Sequence, residues 1–472
     1  MTDKTARTIA IIGGGFSGAL LALRLAAAPQ VRRVLLIERD RRIGVGLAYG
    51  ACAPHHLLNV PVARLEVDLT PCFADWLDAR TDFTPPVDTP LADAFAPRAL
   101  YGAYLEERVA ETTGPVLQRI RGECVRIADA PRRVVLRDGR AFEADTVVLA
   151  VGNAPPAPLT GGDDLHGPGV TPDPWAHDAF DGLDHDDSVL LVGTGLTMVD
   201  VALNLEARGH RGPIVALSRR GLLPARHRAG GAWSPFLADA TGGSARTAFR
   251  MIRREAERAA RAGVPWQRVM DAARPDVARL WRSWSITEQR RFLRHLRARW
   301  DVHRHRMAPA VADTLDRMLA NGQLQVHAGR IRACATQDGA INVTFAPPGR
   351  GGLQHVRAQR IFNCTGPRGD LAQDETPLIA DLRRRGLARA DPLGLGLDTE
   401  DGALTDGTSA PSRWLFAVGP LTRPALWEVT AVPEIRAQID ALAARLADPD
   451  KTSMRAGDAS LTAAFADLGA GI

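Results

Sequence analysis

Lysine is nearly missing from this chain. Of its 59 basic residues only Lys4 and Lys451 are lysines, so arginine carries almost all of the positive charge. Cysteine is scarce too: Cys52, Cys72, Cys124, Cys334 and Cys364 are scattered, and no two form a CxxC pair. That excludes a zinc ribbon and a dithiol redox pair, and gives no disulfide framework. No apolar run is long enough to span a bilayer. The N-terminal apolar run is short and ends in glycines, as a first strand does and a signal peptide does not. These absences point to the cytoplasm and to no membrane partner. No basic run is interleaved with aromatics, so the net charge of +5 suits anionic small ligands better than nucleic acid.

At roughly 150 residues per domain, 472 residues suggest two or three domains. The first eighteen residues carry the clearest signal. A β-branched run ends in GGGFSG, an Ala/Leu-rich helix follows, and RVLLIE at Arg33–Glu38 reads as a second buried strand. Gly13, Gly15 and Gly18 fit GxGxxG: a tight turn, a close backbone approach to a pyrophosphate, and close helix–strand packing. Phe16 and Ser17 lie in the same turn, where a helix N-terminus faces phosphates. Glu38 stands twenty residues beyond Gly18, where a carboxylate accepts ribose hydroxyls, with Arg39 next to it. This loop reads as a site for FAD.

A second unit of the same kind begins in mid-chain with VLLVGTGLTMVD at Val189–Asp200. Gly193 and Gly195 take the first two glycine positions, Leu196 and Thr197 continue the turn, and Met198 replaces the third glycine. Twenty residues on, Ser218, Arg219 and Arg220 stand where the first unit has Glu38. A carboxylate there would repel a 2′-phosphate; a hydroxyl and two guanidiniums would bind one. This loop reads as a site for NADPH. Two sites in one chain imply that nicotinamide delivers hydride to flavin.

The expected fold is α/β: two Rossmann-like dinucleotide-binding domains, the second inserted into the first, with an added helical segment. The FAD domain takes residues 1–160 and 355–450. The NADPH domain takes 185–335, with an Arg/Ala/Leu-rich helical insert at 245–320, and 451–472 is expected to be a flexible tail. Strand–glycine endings at Gly152, Gly366 and Gly419 mark chain crossings or cofactor approaches.

From these motifs the chain resembles the two-dinucleotide-binding flavoproteins, and among them the class B flavin monooxygenases. The loop GTGLTMVDVA looks like their NADPH loop, with Thr197 at a usual Ser position and Asp200 at the usual acid. LHGPGVTPDPW at Leu165–Trp175 is a degenerate form of their linker motif, with Thr171 in place of its His. A closer resemblance is to a bacterial family of FAD/NAD(P)-binding proteins. It rests on GLAYG, HLLNVPVARL, WDVHRHRMAP, DPLGLGLDT and GPLTRPALWEVTAVPEIRAQ. That family is similar to amine N-hydroxylases, including flavoenzymes that convert aspartate to nitrosuccinate. The resemblance implies an NADPH-using monooxygenase that forms a C4a-(hydro)peroxyflavin with O2 and N-hydroxylates a small amine or amino acid. Two other readings stay open: an NAD(P)H-dependent flavin reductase or oxidase that passes electrons to O2, a quinone or a protein, and a non-catalytic redox sensor.

The resemblance also implies roles. Asn59, with Val60, would lie beside the flavin, where a neutral amide can hydrogen-bond a peroxide; Asn59 is the catalytic candidate. Ala431 and Val432 would start a helix whose N-terminus faces the flavin pyrimidine, and Trp427 would pack against the isoalloxazine. His303, Arg304, His305 and Arg306 alternate in a pattern suited to binding an anion, either the nicotinamide nucleotide's phosphates or a substrate carboxylate. No acid or cysteine adjoins the two histidines, so no metal is expected.

Overall fold

The computed structural model describes residues 7–448 except 113, 162, 241, 242 and 350. The expected tail at 451–472 lies outside the described residues. Among those described, no helix is long and apolar enough to cross a membrane.

The first sheet has seven strands in the order Thr399–Glu400, Ala403–Thr405, Pro411–Ala417, Thr146–Leu149, Arg7–Ile12, Val31–Glu38, Leu117–Arg121. The last five run parallel. Their near-continuous apolar runs are what a sheet covered on both faces requires. Ile9, Ile11, Val34 and Leu36 point to one face, where helices Phe16–Ala26, Arg98–Glu111 and Val432–Ala447 pack. Ala10, Ile12, Leu35 and Ile37 point to the other, under the antiparallel strands from Cys124 to Glu143 and the helix Pro377–Arg384.

The second sheet has five parallel strands in the order Leu324–Ala328, Ile214–Ser218, Val189–Val192, Arg360–Asn363, Val170–Thr171. One face carries helices Leu196–Ala207 and Pro309–Ala320, which bury Met198, Leu315 and Met318. The other carries an antiparallel sheet of Arg330–Gln337, Ala340–Ala346 and Gln354–Ala358. The chain leaves the first fold at Ala154–Pro156 and returns at Pro367–Arg368, and these two crossing segments pair antiparallel.

Two boundaries differ from the sequence reading. Arg360–Asn363 belongs to the second sheet, in register with Val189–Val192, so the return falls near 367 rather than at 355. A buried apolar strand looks the same in either sheet, and only its partner decides. Pro309–Ala320 packs beneath the second sheet as its own crossover helix, so the added helical layer comprises Ala245–Arg261, Trp266–Ser283, Ile286–His295 and Arg297–Arg304. Ser244 and Ser285 cap the first and third of these by accepting from the N–H three residues on.

Candidate active site

The two glycine loops are built alike. Gly13 has φ +102° and Gly193 φ +117°, a region that favours glycine. A Cβ on Gly13 would stand 2.4 Å from the carbonyl oxygen of Ala150; on Gly193 it would stand 2.2 Å from that of Cys364. Each loop is thus pressed against the end of the strand that precedes a crossing. Gly18 is as constrained, since its Cβ would meet the Gly13 oxygen at 1.8 Å, whereas Met198 points fully buried into the second core. Gly195 faces open space, which leaves its backbone approachable.

Glu38 is buried at the end of its strand. Its Oε2 accepts from the Gly14 N–H at 2.5 Å and its Oε1 from the Asp40 N–H at 2.9 Å. The carboxylate is therefore fixed beside the loop with lone pairs to spare for ribose hydroxyls. Arg39 is exposed and lies 3.8 Å from Asp40. Phe16 and Ser17 are buried in the first helical turn. Gly419, at φ +78°, comes so close that a Cβ would stand 2.6 Å from Ser17 Oγ. Its N–H donates to Gln438, which ties this glycine to helix Val432–Ala447, capped by Ala431. Gly152 and Gly366, also at positive φ, have no neighbour where a Cβ would point. This crowding where side chains are absent, together with the fixed acid, fits a dinucleotide at the first loop.

At the second loop Leu196 and Thr197 are half-buried in the first helical turn. Ser218 is committed locally: its hydroxyl meets Thr194 Oγ1 at 2.8 Å and accepts from the Gly221 N–H at 3.0 Å. Arg220 donates to the carbonyls of Arg294 and His295 at the end of a neighbouring helix. Arg219 is exposed and has no ion-pair partner among the described residues. Of the three expected phosphate ligands, Arg219 alone has its charged group free.

Asn59 and Val60 are half-buried. The Asn59 carbonyl oxygen lies 2.9 Å from His227 Nε2. Burial, with the nearby charge of Arg306, pushes the pKa of His227 down to about 3. The ring is therefore neutral, donates from Nε2, and keeps Nδ1 as an acceptor. Next to it Val60, Pro61, Arg64, His227, Arg268, Asp271, Arg274, Arg304 and Arg306 line a cavity of about 40 Å³. Asp271 is shared by three guanidiniums, those of Arg306 at 2.5 Å, Arg268 at 3.0 Å and Arg64 at 3.8 Å. Burial raises its pKa, but those charges outweigh burial and hold it below the usual carboxylate range. Glu434 takes Arg274 at 2.7 Å and Arg304 at 3.2 Å, and Glu428 takes Arg304 at 3.0 Å. Five arginines thus face three carboxylates, an imbalance of two positive charges.

The expected quartet divides by side. Arg304 and Arg306 are buried in this network, so neither guanidinium is free of protein partners. His303 is exposed, donating from Nδ1 to the Arg299 carbonyl, and His305 is half-buried with its pKa lowered by burial. Trp427 departs from its expected place. It stacks on Trp281 with ring centroids 4.9 Å apart, and the Arg423 guanidinium stands 4.4 Å from its ring centre. It belongs to the aromatic core of the helical layer, with Trp281, Trp284 and Phe292. Sequence reasoning passed over Arg64, His227, Asp271, Arg274 and Glu434, which come from four separate stretches of the chain. Among the described residues no group of three or more His, Cys, Asp or Glu side chains could hold a metal ion.

Residues 10–154 match the sequence family described as FAD-NAD(P)-binding, about a third of the chain. No curated protein matches. Solved structures match over nearly the whole length. They include the ornithine N-hydroxylase of Kutzneria sp. 744 (TM-score 0.61, 15% identity, 93% of this chain and 99% of that one). The cadaverine monooxygenase of desferrioxamine biosynthesis from Erwinia amylovora has TM-score 0.64 at 12% identity, with 95% of both chains covered. The L-lysine 6-monooxygenase of Pseudomonas syringae has TM-score 0.60 at 17% identity, with 95% and 100% covered. The chain has the fold of these amine hydroxylases. At such identities the likeness speaks to fold alone.

Proposed function

We propose that the protein is an FAD-dependent, NADPH-using monooxygenase that N-hydroxylates a small amino acid or other carboxylate-bearing amine. The observation that carries this reading is the arginine-rich cavity beside Asn59 and Val60, in a chain that also holds two glycine loops of the same build. Bound FAD, reduced by NADPH and reacted with O2, would supply the oxygen atom.

The chain's own residues do the rest. Gly13, Gly15 and Gly18 admit the FAD pyrophosphate, and Glu38 holds its ribose. Gly193, Gly195 and Arg219 hold NADPH. The guanidinium excess around Asp271 attracts a carboxylate. The same field disfavours a substrate ammonium and so favours the neutral amine, the form that has a lone pair to attack oxygen. His227 Nδ1, an acceptor among donors, orients the amine N–H.

The test is a half-reaction followed by a product assay. NADPH should reduce the bound flavin faster than NADH does, and oxygenated turnover with carboxylate-bearing amines should yield hydroxylamine. Arg64→Met should raise KM for those amines about tenfold, the worth of one charge-assisted hydrogen bond, and leave flavin reduction unchanged. Hydrogen peroxide with no hydroxylamine from any amine tested would instead make the protein an NADPH oxidase.

A further inference from the structure

The four helices of the added layer do not close on one another. Between them lies a second cavity, of about 940 Å³, far larger than the arginine pocket. Helix Trp266–Ser283 separates the two. Asp271 and Arg274 line the small pocket, while Val269, Met270, Val277 and Trp281 line the large one.

The wall of the large cavity is apolar almost throughout. Trp266, Trp281, Trp284 and Trp300 contribute indole surface, and Ile252 and Leu296 aliphatic surface. The indole N–H groups of Trp281 and Trp300 are satisfied by the Pro424 carbonyl and by Glu428, and those of Trp284 and Trp427, which have no partner, are buried beneath the wall rather than open to the cavity. Such an interior rejects groups that need hydrogen bonds, and a methylene chain needs none. Its volume lies in the range of small-molecule sites.

The charge around it is one-sided. Arg228, Arg253 and Arg299 line the cavity, all three are exposed, and none has an ion-pair partner among the described residues. Glu257 is the one carboxylate in the lining. Three unpaired guanidiniums beside a large apolar cavity complement an anion that carries a long apolar tail.

We propose that this cavity is a binding site for a long-chain carboxylate, with the acyl chain among the tryptophans and the head group at Arg228, Arg253 and Arg299. The site is separate from the arginine pocket, and its occupancy does not depend on the reaction carried out there.

The test is calorimetric titration of the FAD-loaded full-length protein with octanoate, decanoate and dodecanoate below their micelle concentrations. Binding should be saturable and one to one, and should tighten about fourfold per added methylene until the cavity is filled. Decyltrimethylammonium, with the same kind of tail and the opposite charge, should give no saturable heat. Ala256→Trp, which places an indole inside the cavity and shortens the space for the chain, should weaken dodecanoate binding at least tenfold, and Arg253→Glu with Arg299→Glu, both on the surface, should weaken all three carboxylates at least tenfold. All variants should keep the wild-type rate of flavin reduction, which also reports that they fold. No saturable heat with any carboxylate would overturn the proposal, as would equal binding of the cationic amphiphile. So would a dimer, seen by sedimentation, that the Ala256→Trp variant cannot form, because a second copy would then fill the cavity.

Discussion

Arg98 and Asp200 join the two nested folds: the guanidinium reaches both carboxylate oxygens, at 3.0 and 3.2 Å. Arg98 begins a helix of the first fold, and Asp200 lies one turn past the second glycine loop. Two histidines reinforce the pair. His55 Nε2 lies 2.9 Å from Asn204 Oδ1, and His56 Nε2 lies 3.2 Å from the Asp200 carbonyl. This side of the second fold is thereby held at a set distance from the first, which fixes how nicotinamide would meet flavin.

Breaking that pair should therefore slow hydride transfer more than it weakens cofactor binding. Asp200→Asn leaves a largely buried guanidinium unpaired and should cost about 3 kcal/mol of stability. Anaerobic stopped-flow should find a lower limiting rate of flavin reduction at nearly unchanged Kd for NADPH. The exchange Arg98→Asp with Asp200→Arg should recover part of the rate, as a positional role requires.

Arg219 and Arg220 are neighbours with different occupations, and substitution should separate them. Arg219→Ala should lower the preference for NADPH over NADH at least tenfold, the worth of one charge-assisted hydrogen bond of about 1.5–3 kcal/mol. Arg220→Ala should change that preference by less than about threefold, because its donors serve the end of helix Ile286–His295. The ratio of kcat/KM for the two nucleotides measures both.

His227 predicts a pH dependence. Its folded pKa is depressed from 6.5 to about 3 by burial. The unfolded chain takes up a proton as pH falls below about 6.5, and the folded chain does not until about 3. The stabilising contribution is thus fully present above the unfolded value and is lost progressively through that window. Urea unfolding at pH 7 and pH 5 should find the wild type weakened at the lower pH, and His227→Gln should weaken less. An equal loss in both would remove His227 as the source.

Trp427 tests the aromatic core. Trp427→Ala should destabilise the protein by about 3–5 kcal/mol, as large-to-small changes in cores do. Trp427→Phe should be far milder, and should leave the visible flavin spectrum at its wild-type maxima. A shifted spectrum in the Phe variant would put the indole back against the flavin.

The glycine loops, their flanking strands and Glu38 were legible because each is a local pattern: an apolar period, a glycine spacing and an acid at a fixed offset. The place of Arg360–Asn363 was not, since RIFN carries no information about which sheet it joins. The arginine pocket was legible only at one corner. HRHR at 303–306 announced alternation, and Arg304 and Arg306 do turn inward. Their partners Asp271, Glu428 and Glu434 come from other helices and from a loop over a hundred residues on. A charge whose counter-ion is that distant reads in sequence as surface. Trp427 misled for a related reason: its neighbours in the chain belong to the cofactor side, but the stacking partner that fixes it, Trp281, comes from the inserted layer.

The pairing of Ala154–Pro156 with Pro367–Arg368 also sets an order of events during synthesis. Every strand of the inner sheet lies between residues 170 and 363, so it can close while the chain is still being made. The outer sheet must wait for Pro411–Ala417 and for helix Val432–Ala447, which covers Phe16–Ala26. Until that helix leaves the ribosome, the apolar face of the first glycine-loop helix stays open. The half made first is therefore the half finished last, and a ribosome that stalls between residues 370 and 410 would release a completed inner fold attached to an uncovered outer one.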